Sequence, residues 1–304
     1  MWLKVVQAAL MLTVFSMPSA SRAQSCSPGT PAAPRVLLWP EGAPGAIGTA
    51  EADEPQLMIC PAPKSPKPVP HAAILDISGG GYIRFSFEPQ GTEAAQWLNR
   101  LGVSVFILEY RLAPRYSYPA QFDDGTRAMR WIRSHAQEFD IDPHRIGVWG
   151  ESAGGHLASM LATRFDAGNA TRQDPIERVS SRPDFMILEA SVIEPLGSAA
   201  EASLKSLAGP AQDANSMEML LTDKHVTAET PPTFLIHAND DNVVYPENSV
   251  RFYLALRAAG VPAEMHLYQH GGHGFGMALL DPVLGSWTQL LADWLRGLGV
   301  LNTR

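Results

Sequence analysis

One serine in this chain lies where a buried strand is predicted to turn sharply into a helix. Ser152 is the centre of a Gly-Glu-Ser-Ala-Gly pentapeptide at residues 150–154. An apolar run at 145–149 precedes it, and a small-residue helical pattern at 153–164 follows it. A turn of this kind strains the serine backbone and exposes its hydroxyl at the sheet edge. We therefore interpret Ser152 as a nucleophile rather than as part of a small-residue turn.

The rest of the chain alternates short apolar runs with stretches of helical periodicity. This alternation predicts an α/β fold, in which a mostly parallel central sheet is covered by helices on both faces. The predicted strands are 72–77, 103–108, 145–149, 184–188, 233–237 and 264–268, and the predicted helices are 92–101, 122–139, 153–164, 248–259 and 283–295.

One internal segment interrupts this alternation. Residues 194–230 contain helical fragments but no clear strand. An insertion of this kind in an α/β enzyme often forms a cap over the active site. The alternative is a pair of surface helices with no part in substrate choice.

The first residues have the pattern of a secretory signal peptide. Lys4 is followed by a mostly apolar stretch at 5–15, and Ser21-Arg22-Ala23 fits a small-x-small cleavage rule. The alternative, a membrane anchor, requires a longer apolar run. We predict a signal peptide at 1–23, a flexible leader at 24–34 and a catalytic domain at 35–304, in a protein that is secreted or periplasmic.

The composition and charge indicate which classes of partner the mature chain can bind. The formal net charge is −8 and there is no Lys/Arg run, so we expect no nucleic-acid partner. After signal cleavage no stable membrane insertion is expected. Cys26 and Cys60 both remain after Ala23, where an oxidising compartment permits a disulfide, although two free thiols are also possible. The oligomeric state is left open.

A serine hydroxyl needs a histidine base, which in turn needs a carboxylate. In this class of fold the chain order is serine, acid, histidine. Asp241 follows the predicted strand at 233–237, and His273 follows the strand at 264–268 between two glycines. Each therefore belongs to the same sheet edge as Ser152. We assign Asp241 and His273 as acid and base.

Several neighbouring residues compete for these two roles. His270 is the alternative base, and Asp240 is the alternative acid, although we expect Asp240 to be structural or a cap for its loop. His237 and His156 are expected to pack or to form structural hydrogen bonds.

An ester hydrolase also needs donors for the oxyanion that develops in the transition state. A Ser-Gly-Gly-Gly-Tyr loop at 78–82 follows the predicted strand at 72–77. We assign the oxyanion hole to the amides of Gly80, Gly81 and Ala153. A phosphate-binding loop is the alternative for the glycines, but no Lys-Ser/Thr signature follows them.

These residues lie in stretches that resemble the esterase/lipase group of α/β-hydrolases, and within it the bacterial acetylxylan esterase-like and feruloyl esterase-like proteins. The resemblance runs from about residue 38 to the C-terminus. The matching stretches are 78–82, 109–116, 147–159, 237–249 and 271–276.

The resemblance implies an α/β-hydrolase fold and a serine carboxylic ester hydrolase with Ser152, Asp241 and His273 as its triad, without cofactor or metal. It implies acetyl or feruloyl esters on plant polysaccharides, or small aryl esters, as substrates. Two residues depart from the family pattern: Ser78 begins the glycine loop where many relatives have His or Pro, and Glu151 flanks the nucleophile where some relatives have Phe or Asp.

We expect deacetylation of an acylated glycan, with a feruloyl or general short-chain carboxylesterase as the first alternative. A serine peptidase and a binding protein on an inactive hydrolase scaffold are alternatives of other classes.

Overall fold

The six predicted strands and two further strands near the N-terminal side form one sheet of eight strands, in the order β1-β2-β4-β3-β5-β6-β7-β8. The computed structural model describes Cys26 and residues 33–64, 70–86, 90–210 and 214–301. The strands are β1 (Arg35–Leu37), β2 (Gln56–Cys60), β3 (His71–Ile77), β4 (Val103–Glu109), β5 (Ile141–Glu151), β6 (Met186–Glu189), β7 (Thr233–Ala238) and β8 (Ala263–Tyr268).

Most of this sheet is parallel, as the sequence predicts. Strands β4, β3, β5, β6, β7 and β8 pair in parallel, whereas β1 pairs with β2 and β2 with β4 in antiparallel fashion. The carboxyl ends of the parallel strands therefore meet at one edge of the sheet, where the predicted site residues lie.

Helices cover both faces of the sheet. They are α1 (Gln90–Arg100), α2 (Ala120–Ser134), α3 (Ser152–Thr163), α4 (Ser198–Ala208), α5 (Ala214–Met219), α6 (Glu247–Ala258) and α7 (Ser286–Gly297), with short 3-10 turns at Glu51–Asp53, Pro175–Arg178 and Thr222–His225.

Two apolar cores result, one on each face. On one face Met129 of α2, Leu157 of α3 and Phe252 of α6 pack on the sheet. On the other face Leu98 of α1 and Trp287 of α7 do so. Burial of such side chains is the main stabilising contribution to a fold of this kind. The prediction of helices on both faces is confirmed.

The predicted helix at 122–139 is too long, because α2 ends at Ser134. The Ser134 hydroxyl donates to the Trp131 carbonyl at 2.9 Å, and the His135 Nδ1 lies 2.8 Å from the same oxygen. The His135 backbone amide donates to the same oxygen at 3.1 Å, so this carbonyl of the last turn is satisfied where α2 ends. Strand β5 correspondingly begins at Ile141, earlier than the predicted 145.

Of the two alternatives for the cysteines, the structure has the disulfide. Cys26 and Cys60 are bonded, with their Cα atoms 5.5 Å apart. The bond attaches the leader to the end of β2. The predicted signal peptide at 1–23 lies outside the described residues. Within the described part of the chain, no helix is long and apolar enough to span a membrane.

Candidate active site

Ser152 lies at the junction of β5 and α3 with a backbone φ of +53°. This left-handed conformation is strained for a serine. The adjoining backbones are close: a Cβ on Gly150 would be 2.4 Å from the Gly154 carbonyl oxygen, and one on Gly154 would be 2.0 Å from the Ile77 oxygen. The predicted sharp turn is present, and the two glycines make it sterically possible.

Three of the predicted residues form a continuous hydrogen-bonded chain. The Ser152 hydroxyl lies 3.0 Å from Nε2 of His273, and Nδ1 of His273 lies 2.7 Å from Oδ2 of Asp241. Because a carboxylate only accepts, Nδ1–H donates to Asp241, which leaves Nε2 to accept the serine proton. This arrangement can activate a serine hydroxyl for attack.

Asp241 is a buried carboxylate with many donors. Burial opposes its ionisation, but hydrogen bonds from His237 and His273 and from the backbone amides of Val244 and Val243 outweigh that effect and hold its pKa well below the usual range. The two amides lie 3.0 and 2.9 Å from Oδ1. Asp241 is therefore ionised when it accepts the hydrogen bond from Nδ1 of His273.

His237 has a closer relation to the site than the sequence indicated. It is fully buried, and its Nε2 lies 3.1 Å from Oδ2 of Asp241 and 3.0 Å from the Val244 carbonyl oxygen. Its Nδ1 lies 2.8 Å from the Ser249 hydroxyl. The expected structural hydrogen bond is present, and it ends on the predicted catalytic acid. The sequence feature that could have indicated this contact is a histidine in an otherwise apolar strand.

The structure separates the competing residues from the serine–histidine–aspartate chain. The His270 side chain is 77% exposed, and its Nδ1 lies 3.3 Å from Asp240. Oδ1 of Asp240 accepts the Gly272 amide at 2.8 Å, so Asp240 fastens the histidine loop, as expected of a loop cap. His156 is buried between the Tyr82 hydroxyl and the Leu220 carbonyl, both at 2.7 Å.

The glycine loop lies directly against the nucleophile. A Cβ on Gly79 would be 3.1 Å from Cβ of Ser152. Gly80 has a φ of +124° and Gly81 one of +66°, which glycine adopts without steric cost. Ala153 is fully buried in the first turn of α3. That the amides of Gly80, Gly81 and Ala153 bind an oxyanion stays a prediction.

The segment at 194–230 packs beside this loop. It comprises α4, α5 and the turn Thr222–His225, with no strand among its described residues. A Cβ on Gly81 would be 3.6 Å from the Ser203 hydroxyl of α4. The Tyr118 amide donates to the Leu207 carbonyl at 2.8 Å. The segment thus lies beside the glycine loop, and its role as a cap stays a prediction.

A group of carboxyls below the nucleophile was not predicted as a group. Burial raises the pKa of Asp76 to about 7, and that of Glu151 to about 7 although the His273 charge opposes the rise. Burial also raises the pKa of Glu189 well above its ordinary value, assisted by Glu151 and Asp76. Asp76 is the one charged residue of the predicted strand at 72–77, and that was the available signal.

The described residues contain no group of three or more His, Cys, Asp or Glu side chains that could hold a metal ion.

The relatives found by comparison with known proteins agree with one another in family and activity. A family profile described as alpha/beta hydrolase fold matches residues 74–277. The acetylxylan esterase of Xylanibacter ruminicola is 31% identical over 246 residues, 79% of this chain and 48% of that protein. The esterase LipI of Mycobacterium tuberculosis is 28% identical over 255 residues, 79% of this chain and 74% of LipI.

A solved structure agrees with these sequence relatives. The acetyl ester-xyloside bifunctional hydrolase from Caldicellulosiruptor lactoaceticus has a TM-score of 0.82 at 38% identity, covering 91% of this chain and all of that chain. The chain spans about half the length of the Xylanibacter relative. The resemblance that the motifs indicate is confirmed.

Proposed function

The chain belongs to the α/β-hydrolase family, and on that premise we propose that it is a serine carboxylic ester hydrolase that deacetylates xylan or xylo-oligosaccharides. The observation that carries the proposal is the hydrogen-bonded chain from Asp241 through His273 to Ser152, with distances of 2.7 and 3.0 Å. Both distances are within the range at which a proton can pass between the paired groups.

In the first half of the reaction the serine becomes acylated. Ser152 Oγ attacks the ester carbonyl carbon while Nε2 of His273 accepts the hydroxyl proton. The Asp241 carboxylate stabilises the imidazolium that forms. The amides of Gly80, Gly81 and Ala153 donate to the oxyanion. The carbonyl then re-forms, and the sugar hydroxyl leaves with the proton from His273.

In the second half water releases the acetyl group. Nε2 of His273 accepts a proton from water as its oxygen attacks the acyl-serine carbonyl. The tetrahedral intermediate collapses, the serine oxygen recovers the proton, and acetate leaves. The same donors serve both halves, because an oxyanion forms at the same oxygen each time.

The sugar part of the proposal is supported by the relatives. One sequence relative is named for acetylxylan, and the structural relative that this chain matches over its full length is named for acetyl ester and xyloside hydrolysis. The contact between the segment at 194–230 and the glycine loop supports a role for that segment in selecting the leaving alcohol.

The decisive experiment is acetate release from acetylated xylan. We expect steady release by the wild-type protein and at least about a ten-thousandfold loss in Ser152→Ala. Thr163→Ala, also on α3 but at its far end, is the matched control and retains activity. Hydrolysis of aryl acetates without release from any acetylated glycan would reject the sugar assignment and keep the esterase.

A substrate panel separates the remaining candidates. Preference for feruloyl esters, or for butyryl and octanoyl esters over acetyl, would move the assignment to a feruloyl or general carboxylesterase. Turnover of peptide amides would support a peptidase. Failure of an active-site phosphonate to label Ser152 would support an inactive binding scaffold.

We also propose that the protein is exported, secreted or periplasmic. The pattern at 1–23 motivates this, and the Cys26–Cys60 disulfide is compatible with an oxidising compartment. Expression of the full chain, followed by N-terminal sequencing of the protein outside the cytoplasm, should give Gln24 as the first residue. A full-length product retained in the cytoplasm would contradict export.

A further inference from the structure

Three carboxyl groups lie on one face of the sheet at the ends of three neighbouring strands. Asp76 is on β3, Glu151 ends β5 and Glu189 ends β6. Glu151 and Glu189 are register partners, and Asp76 is the partner of Trp149, two residues before Glu151. Because alternate residues of a strand share a face, all three carboxyls point to the side covered by α1 and α7.

These side chains line a small cavity of about 20 Å³, which has room for about one water molecule. It is lined by Asp76, Glu151, Glu189 and Ser78, and by Gly276, three residues after His273. The cavity therefore adjoins the start of the glycine loop, the nucleophile turn and the histidine loop together.

Several polar atoms at this cavity have no partner among the described residues. They are Oδ2 of Asp76, Oγ of Ser78 and Oε1 of Glu189. Their residues are only 7, 4 and 4% exposed. Buried acceptors normally have donors. Protons on the carboxyls, with one bridging water, would supply donors to these oxygens.

The charged groups that face Glu151 in the described structure come from three directions. Asp76 faces it from β3 and Glu189 from β6, and the Glu151 charge disfavours the ionisation of both. His273, on the loop after β8, favours its ionisation. The lining from α1 is the apolar Ala94. The charge of Glu151 is thus coupled to two acids and to the base of the site.

We propose that Asp76, Glu151 and Glu189, here called the carboxyl cluster, share protons so that Glu151 can carry a negative charge, and that this charge stabilises the His273 imidazolium during the reaction. Glu151 is a positioning residue, since it acts through His273. Glu189 retains its proton, and the proton that Asp76 and Glu151 share keeps a second negative charge away from the oxyanion. This inference rests on the ester hydrolase activity of the proposed function but not on the sugar.

The first test compares Glu151→Gln with wild type on an aryl acetate across pH. Glutamine has the shape of the protonated acid, so the kcat/KM values should be nearly equal at about pH 6. The Glu151 charge develops above about pH 7, so the wild-type value should exceed that of the variant about tenfold at about pH 8.5. Glu151→Asp should restore much of the difference.

The matched control is Glu138→Gln, which removes one exposed negative charge near the end of α2. Its ratio to wild type should stay near one at every pH. A wild-type to Glu151→Gln ratio that is constant with pH would overturn the proposal, because a merely structural role lowers activity equally throughout. No turnover of the aryl acetate by wild type would instead reject the esterase itself.

A second test needs no turnover. Infrared spectra of the wild-type protein at about pH 6 should retain the C=O stretch of protonated carboxyl groups, although exposed carboxyls are ionised there. Asp76→Asn combined with Glu189→Gln should remove most of that band. A wild-type spectrum without the band at that pH would overturn the shared-proton cluster.

Discussion

Asp241 and the carboxyl cluster are buried acids at the same edge of the same sheet. The pKa of Asp241 is lowered, whereas the pKa values of the cluster are raised. The side chain of Asp241 is fully buried, but four hydrogen-bond donors reach it and its pKa is well below the usual range. Asp76 is also buried, has an oxygen without a partner among the described residues and faces another acid, and its pKa rises to about 7.

For Asp241 and Asp76, the number of donors rather than the degree of burial decides the direction of the pKa shift. Desolvation penalises every buried carboxylate, and only hydrogen bonds or opposite charges reverse that penalty. Asp241 receives two backbone amides because its loop turns back at Val243 and Val244. Asp76 receives one backbone hydrogen bond, from Ile77, and this does not outweigh its burial and the neighbouring Glu151 charge.

The largest predicted effect removes the charge of the donor-rich acid. Asp241→Asn should lower kcat by about four orders of magnitude, because an amide favours the wrong histidine tautomer and cannot stabilise an imidazolium. The measurement is kcat on an aryl acetate. Asp240→Asn, the adjacent residue, is the control and should lower kcat less than tenfold. Equal losses in the two variants would show that Asp241 has no special role.

A smaller effect is predicted when Asp241 loses a single donor. His237→Leu should lower kcat about tenfold with little change in KM, because one hydrogen bond to a charged group is lost. His237→Gln, whose amide can donate from a similar position, should recover part of kcat. If the kcat of the leucine variant matches that of wild type, the donors of Asp241 are redundant, and the loss of one donor does not change its charge.

The smallest predicted effect concerns stability rather than rate. Between about pH 4 and 7 folded Asp76 holds a proton that the unfolded chain has lost, so its contribution to stability falls as pH rises through that window. Asp76→Asn avoids this loss.

The measurement for Asp76→Asn is the unfolding midpoint. At about pH 8 we expect the variant to exceed wild type by about 3 °C, which corresponds to about 1 kcal/mol. At about pH 5 the two midpoints should agree. Parallel midpoints at both pH values would show that Asp76 titrates normally.

Much of this architecture could be predicted from the sequence, because it depends on local patterns. The six parallel strands are short apolar runs, and the turn at Ser152 needs only a strand, a helix and two small residues. The positions of Asp241 and His273 follow from the rule that parallel strands end at a common edge. The resemblance to esterases rests on the same stretches.

The rest depends on distances that a sequence does not contain. At the early end of α2, the side chains of Ser134 and His135 meet at one carbonyl oxygen, a contact that sequence spacing does not give. The link from His237 to Asp241 and the grouping of Asp76, Glu151 and Glu189 depend on strand register. A one-residue change of register would move a side chain to the opposite face.

The tight contact between the nucleophile turn and the glycine loop has a consequence for protein engineering. Any side chain at Gly154 would overlap the Ile77 carbonyl, so variation at that position disables the enzyme whatever substrate is sought. Libraries intended to alter substrate preference are better directed to α4 and to Ile83, which is 56% exposed beside the glycine loop. The scaffold thus divides into a part that selection must keep and a part that it can reshape.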